Sequence, residues 1–344
     1  MEDSERNPLL QSISALPSAG RLRGRREVSF DFGFSLHAAS FRYPFLFFFS
    51  HVSPTPVSNR PLVPRRRSDA PFFLLMGGIS SCFVLLIVLL IAADLAFTSL
   101  ADFRDVLAKP EIRASIRLTL LSCTVSAILS VIVAIPLGYL LSRFQFPGRF
   151  VVDTLIDIPI VLPPLVLGLS LLILFHLPIG NSGWELESWL RDEVGFPVTY
   201  RWPAVVLAQF VVACAFAVRT MGVTFDQIDA RAEDVARTLG CTRLQAFTKV
   251  ALPQAGRGIV ASLTIAWARA LGEFGPILVF AGATRMRTEV LSTSVFLELS
   301  VGDLNAAVAV SLLMVAIAIV VLLALRVLGT RRLGMAMMSG ERSR

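Results

Sequence analysis

Glu233-Asp234-Val235-Ala236-Arg237-Thr238-Leu239-Gly240, followed by Val250-Ala251-Leu252-Pro253, is a polar segment set between two apolar ones. Its pattern reads as helix, glycine turn, helix, proline stop. Asp229 stands where a side chain can accept hydrogen bonds from the free backbone N–H groups of a helix running to about Leu239. Ala232, Val235 and Leu239 share one face of that helix. Gly240 follows, at the position where a left-handed residue ends a helix without steric cost. Thr242 and Gln245 have capping-box spacing for a second helix, with Leu244 and Phe247 as its apolar face. Pro253 lacks an N–H and turns the chain toward the next apolar run. A structured polar loop between membrane spans is a device for touching a soluble partner.

Composition places the rest of the chain in a membrane. Hydrophobic residues make up 55% and charged residues 17%, and mean hydropathy is +0.70. Soluble domains carry about 25% charged residues. The net charge of +7 is accounted for by loops that accumulate arginine on the inner side. No basic stripe interleaved with aromatics appears, so nucleic acid is not an expected partner. Cys82, Cys123, Cys214 and Cys241 have neither zinc nor redox spacing, and His37, His51 and His176 are isolated. A metal site is not expected.

Residues 1–71 read as a disordered N-terminal extension, with Arg21, Arg23, Arg25, Arg26 and Arg65-Arg66-Arg67 among scattered Pro and Ser. The patch Phe45–Phe49 is too short to cross a bilayer, and a signal peptide fits badly because the first long apolar run starts near Phe72. Residues 72–330 form the transmembrane domain. Its apolar spans run approximately Phe72–Phe97, Ser115–Leu141, Leu155–Phe175, Ala204–Val218, Ile259–Ala281 and Ala306–Leu328. Each but the fourth approaches the roughly 20 residues a crossing helix needs. The fourth stops short at Arg219 and borrows Trp202 and Pro203. Lipid offers no partner for open strand edges, so the fold class is all-α, a polytopic bundle of six spans.

Arginines concentrate in 142–154, in the loop 219–256, in 329–344, whose last part 331–344 is the tail, and in the N-terminal arm. The segments 98–114, 176–203 and 282–305 together carry more carboxylates than basic residues. Both termini are therefore expected in the cytoplasm. Trp184, Trp189, Tyr200 and Trp202 make an interfacial aromatic cluster outside, with room for a short re-entrant helix at Trp184–Arg191.

The loop resembles the EAA motif of ABC importer permeases, in which Glu-Ala-Ala precedes a glycine and then Ile-x-Leu-Pro. The triplet falls on Asp234-Val235-Ala236, the glycine on Gly240 and the tail on Val250-Ala251-Leu252-Pro253. Asp stands for Glu, Val for Ala and Val for Ile. The resemblance implies a type I importer permease fold, with Glu233, Asp234, Val235, Ala236, Gly240, Val250, Leu252 and Pro253 docking onto an ABC ATPase subunit. Arg231, Arg237, Arg243 and Lys249 flank this apolar ridge. ATP would be bound by that partner. The two lysines here, Lys109 and Lys249, do not follow a glycine, so there is no Walker A loop, and no catalytic constellation is visible.

The resemblance extends over roughly 115–330. Pro136-Leu137-Gly138-Tyr139 with Phe146-Pro147-Gly148-Arg149, and Leu162-Pro163-Pro164-Leu165-Val166-Leu167-Gly168, look like the second and third spans of molybdate-type permeases. Ala268-Arg269-Ala270-Leu271-Gly272-Glu273-Phe274-Gly275 is similar to the fifth-span signature of molybdate, tungstate and sulfate permeases. Arg269 and Glu273 are four apart on one helical face, where charge is costly. They read either as a neutralising staple or as the border of a translocation path. Pro163, Pro164, Gly272 and Gly275 interrupt regular helix as a gate requires, although kinked helices are also common in polytopic proteins.

The implied function is the permease subunit of an importer for molybdate or tungstate, next sulfate, in a bacterial or archaeal inner membrane. Its implied partners are ABC ATPase subunits, an extracytoplasmic solute-binding protein and a second permease copy as a homodimer. Thiamine, ferric iron or polyamine import is the alternative within the class. An ion channel is the alternative outside it, and would have no use for the loop.

Overall fold

The computed structural model describes residues 69–178 and 185–341, with side chains as far as Val327. The expectations for the N-terminal extension and for Trp184 fall outside the described residues. Every regular element among those described is helical. α1 (Ala70–Phe97) carries Pro71 in its first turn, where a missing N–H costs nothing, and is exposed along its length, as suits a helix facing lipid. α2 (Leu100–Ala108) starts on a reciprocal Ser99–Asp102 capping box. α3 (Pro110–Arg143) follows at once; its 34 residues reach about 51 Å at 1.5 Å each, against about 30 Å of hydrocarbon, so its ends stand clear.

α4 (Arg149–Val161) and α5 (Pro164–His176) meet at a 114° bend. α6 (Leu186–Asp192) and α7 (Trp202–Asp226) come next. The loop contributes α8 (Arg231–Thr238), α9 (Arg243–Ala246), a π turn over Phe247–Ala251 and α10 (Leu252–Gln254). α11 (Gly256–Leu271), α12 (Gly275–Phe280), α13 (Leu291–Val301) and α14 (Leu304–Glu341) complete the chain.

Among the described residues, four continuous helices are long and apolar enough to cross a membrane: Pro71–Phe97, α3, α7 and Leu304–Val327. The third and fifth expected spans are each broken. The third breaks because Pro163 and Pro164 offer no N–H and force Leu162 and Pro163 into extended backbone, with ψ of 137° and 133°. The fifth divides into the 16 residues of α11 and the six of α12, with Pro276 in the first turn of the second. α7 does begin at Trp202, yet it runs past Arg219 to Asp226. Arg219 is no end signal, because its guanidinium pairs with Asp153 at 2.6 Å and with Asp157, both on α4.

α3, α7 and α11 form the centre. Their contact surfaces are small: Cys123, Ala127 and Ala134 from α3, Ala213 and Ala217 from α7, Ala266 and Ala270 from α11, all fully buried. Helices in lipid associate through such close packing rather than through a hydrophobic effect. At Gly138 a Cβ would lie 2.8 Å from Met221 Cβ and 2.9 Å from Gly222 N, so α3 and α7 touch backbone to backbone. Buried hydroxyls add interhelical bonds. Ser126 Oγ donates to Val206 O at 2.9 Å and Ser262 Oγ to Ala217 O at 3.2 Å.

At the end of α7 away from the loop, buried carboxylates brace the connections. Glu187 of α6 accepts the N–H groups of Val198 and Thr199. Glu298 of α13 pairs with Lys109 at 3.0 Å and Arg285 at 3.2 Å. α13 itself has no counterpart among the expected spans.

Candidate functional site

Two places gather the residues singled out by sequence: the polar loop and the paired helix breaks. In the loop, Asp229 does not cap α8. Ala230 occupies the cap position and makes no side-chain cap bond. Asp229 instead closes a local turn, its Oδ1 accepting from Arg231 N at 3.0 Å, so one free N–H is still satisfied. α8 then ends as expected. Gly240 has φ +95°, Gly240 N donates to Arg237 O and Cys241 N to Ala236 O, both at 3.0 Å. That pair of bonds is the Schellman termination, and it needs the left-handed residue.

Thr242 and Gln245 form the reciprocal capping box. The helix it opens is not a single regular one. After four residues of α9 the backbone widens to a π turn, with Leu252 N bonded to Phe247 O. Single π turns of this kind recur at functional sites. Pro253 sits in the first turn of α10, and the chain enters α11 directly.

The side chains divide between outside and inside. Val235, Leu239 and Leu244 are 57%, 80% and 70% exposed, an apolar ridge in water. Asp234 and Pro253 are exposed as well, and Ala236, Val250 and Leu252 are half-buried. Glu233 points the other way. It is buried, accepting from Tyr139 Oη at 2.5 Å and from Arg143 Nε at 2.9 Å. Arg143 also donates to Ile228 O at 2.7 Å. The Arg243 guanidinium lies 5.6 Å from the Phe144 ring centre. A cavity of about 370 Å³ opens between the end of α3 and the loop.

Tyr139 and Arg143 were not among the expected site residues. Tyr139 stood inside a quoted motif, but its partner lies 94 positions away. Arg143 counted only as one more inner-side charge.

The helix breaks meet each other. A Cβ on Gly275 would lie 2.9 Å from Pro164 Cβ, and one on Gly168 would lie 2.8 Å from Pro276 Cα. The interruption of the third span is thus packed into that of the fifth. Pro163 remains exposed, and so does Gly272, at the end of α11. Arg269 Nη1 approaches Glu273 Oε1 at 2.5 Å; the contact is ionic, since Oε1 has no aligned hydrogen-bond donor among the described residues. Glu273 is 1% exposed and Arg269 31%. The Arg269 guanidinium stacks over Phe216 at 5.5 Å, and Glu273 O accepts from Ser292 Oγ at 2.7 Å. α11 joins the two places as a rod of 16 residues, about 24 Å long.

Continuous and broken lipid-facing helices, with one stiff apolar ridge held outside them, have the build of a transporter's membrane subunit. Residues 134–334 match the family described as the binding-protein-dependent transport system inner membrane component, and the chain belongs to that family. It is thus the multi-pass permease component of an ABC importer, in which a separate subunit hydrolyses ATP. The sulfate transport system permease protein CysT of Escherichia coli K12 is 35% identical over 269 residues, 77% of this chain and 95% of that relative. A probable molybdenum ABC transporter permease of Haloferax volcanii is 37% identical over 212 residues, 62% of this chain and 74% of that one. A bacterial alginate ABC transporter, solved in complex with an alginate-bound periplasmic protein, superposes with a TM-score of 0.61 at 17% identity, over 76% of this chain and 96% of its own. At that identity the likeness is one of fold alone.

Proposed function

We propose that this permease carries a tetrahedral oxyanion inward, sulfate first and molybdate or tungstate next. The observation that supports the order is coverage. The sulfate permease is matched over 95% of its length and the molybdenum permease over 74%. This reverses the preference expected from the motifs. The ridge of Val235, Leu239 and Leu244, with Asp234, Val250, Leu252 and Pro253 around it, docks into a cleft of the ATPase subunit. Pro163, Pro164, Gly272 and Gly275, with Arg269 and Glu273, border the path and its gate. A solute-binding protein delivers the anion, and a second permease copy completes the path.

The test is uptake of labelled sulfate into proteoliposomes holding this chain with its cognate ATPase and binding protein. Uptake is expected to require both ATP and the binding protein. Excess molybdate or tungstate should compete, whereas thiamine, ferric iron and polyamines should not. Anion flux without ATP would instead mark a channel and end this reading.

Both termini lie in the cytoplasm, a reading that rests on the arginine asymmetry. A reporter fused after Arg332 should be cytoplasmic, and one inserted near Asn181 external. Finding the Asn181 insertion inside the cell reverses the orientation and removes the docking loop from the ATPase side.

A further inference from the structure

The loop is joined covalently to α7 and α11, yet its most specific side-chain attachment is to α3. Glu233 is 7% exposed, on a helix of eight residues that is otherwise largely in water. Its carboxylate takes one hydrogen bond on each oxygen, from Tyr139 and from Arg143. The Tyr139 ring also packs on Phe247 of the π turn at 4.6 Å and on Phe225 of α7 at 5.3 Å. Both arms of the loop therefore grip the same residue of α3, α8 through a charge and the π turn through an aromatic face.

We propose that Glu233, Tyr139 and Arg143 form a clamp that delivers movement of the docked loop to α3 and α7, so that Glu233 is a positioning residue for coupling and not a contact with the ATPase. The inference rests on the docking role given to the loop above. Its physical basis is stiffness. A helix of two turns has almost no stability of its own in water, and apart from the clamp α8 packs mainly on the neighbouring elements of the same loop, the π turn and α9. A lever transmits force only when its fulcrum holds. Charge-assisted bonds to a buried carboxylate favour one register, because withdrawing Glu233 takes the carboxylate partner from a guanidinium that is only 13% exposed. Movement passed on in this way reaches the close α3–α7 crossing at Gly138, one residue before Tyr139. The side chains of the exposed ridge, which make the contact with the partner, are not themselves replaced when the clamp is cut.

Two measurements separate the clamp from its role. In the isolated permease, trypsin should cut at Arg231, Arg237 and Arg243 several-fold faster in Glu233→Gln than in the native chain. An unchanged cleavage rate overturns the clamp, whether or not transport has been observed. In proteoliposomes with the ATPase, Glu233→Gln should retain co-purification of the ATPase and continue to hydrolyse ATP. Uptake per ATP should fall about ten-fold, with a smaller fall for Tyr139→Phe and partial retention in Glu233→Asp. Loss of ATPase co-purification would return Glu233 to the docking surface, and unchanged uptake per ATP would reduce the clamp to folding support; either overturns the proposal. Glu233→Gln combined with Arg143→Gln should be no worse than the worse single variant, and additive losses count against a shared clamp. Absence of ATP-driven uptake by the native complex sinks the docking role itself, and the trypsin comparison still judges the clamp.

Discussion

Gly240→Val is expected to lower ATP-driven uptake severely while leaving the protein in the membrane at its usual level. Gly240 has φ +95° and ends α8 through bonds from its own N–H and that of Cys241. A β-branched residue is a genuine outlier at positive φ. Among the described residues, no neighbouring atom lies within 4 Å of a Cβ built at Gly240, so the cost arises from the backbone and not from a clash. Strain of this kind is worth about 1–3 kcal/mol. It is relieved by unwinding the turn, which carries Leu239 and Leu244 out of the common ridge. A loss of about 2 kcal/mol in docking weakens the complex roughly thirty-fold. The exposure of Gly240 explains why abundance should hold. Gly240→Asn serves as the control, because asparagine tolerates the left-handed region. Quantitative co-purification of the ATPase together with uptake is the measurement. Normal uptake by the valine variant would remove the loop from the coupling role.

What could be read from the sequence follows the range of the interactions involved. The left-handed end of α8, the Thr242–Gln245 box and the break at Pro163-Pro164 depend on neighbours within a few residues, and each appears where its chemistry required. The end of α7 depends on Asp153 and Asp157, more than sixty positions before Arg219. A local window sees only a charge interrupting an apolar run. The π turn over Phe247–Ala251 was hidden for a related reason: regular helix and π turn share the same apolar spacing over so few residues. Glu233 and Asp234 show the finest case. They are adjacent carboxylates, about 100° apart around a helix, one buried under α3 and the other in water. The motif resemblance marks the pair as a unit, and only the position of α3 assigns them to opposite sides.

The pair Arg269–Glu273 carries the other large effect. Glu273→Gln is expected to lower anion uptake by at least about ten-fold, or to leave ATP hydrolysis running without it, at near-normal membrane abundance. Breaking a buried ion pair by removing one member typically costs about 3–5 kcal/mol. The cost here falls at the low end, because Arg269 is 31% exposed and keeps its contact with the Phe216 ring. A guanidinium freed of its partner changes the balance between states in which the path opens to one side or the other, and its charge then competes for the anion in transit. The position of the pair gives this consequence: it sits at the break between α11 and α12, where Gly275 is locked against Pro164 of the third span. Collapse of abundance in Glu273→Gln would instead identify a staple that holds α11 to its neighbours. Unchanged abundance with unchanged coupled uptake would remove both roles. The exchange Arg269→Glu with Glu273→Arg separates them further. A staple needs only opposite charges at 2.5 Å and recovers abundance when they are swapped. A residue facing the anion needs the positive charge on the more exposed member, so the swapped chain should remain stable and still fail to carry the anion.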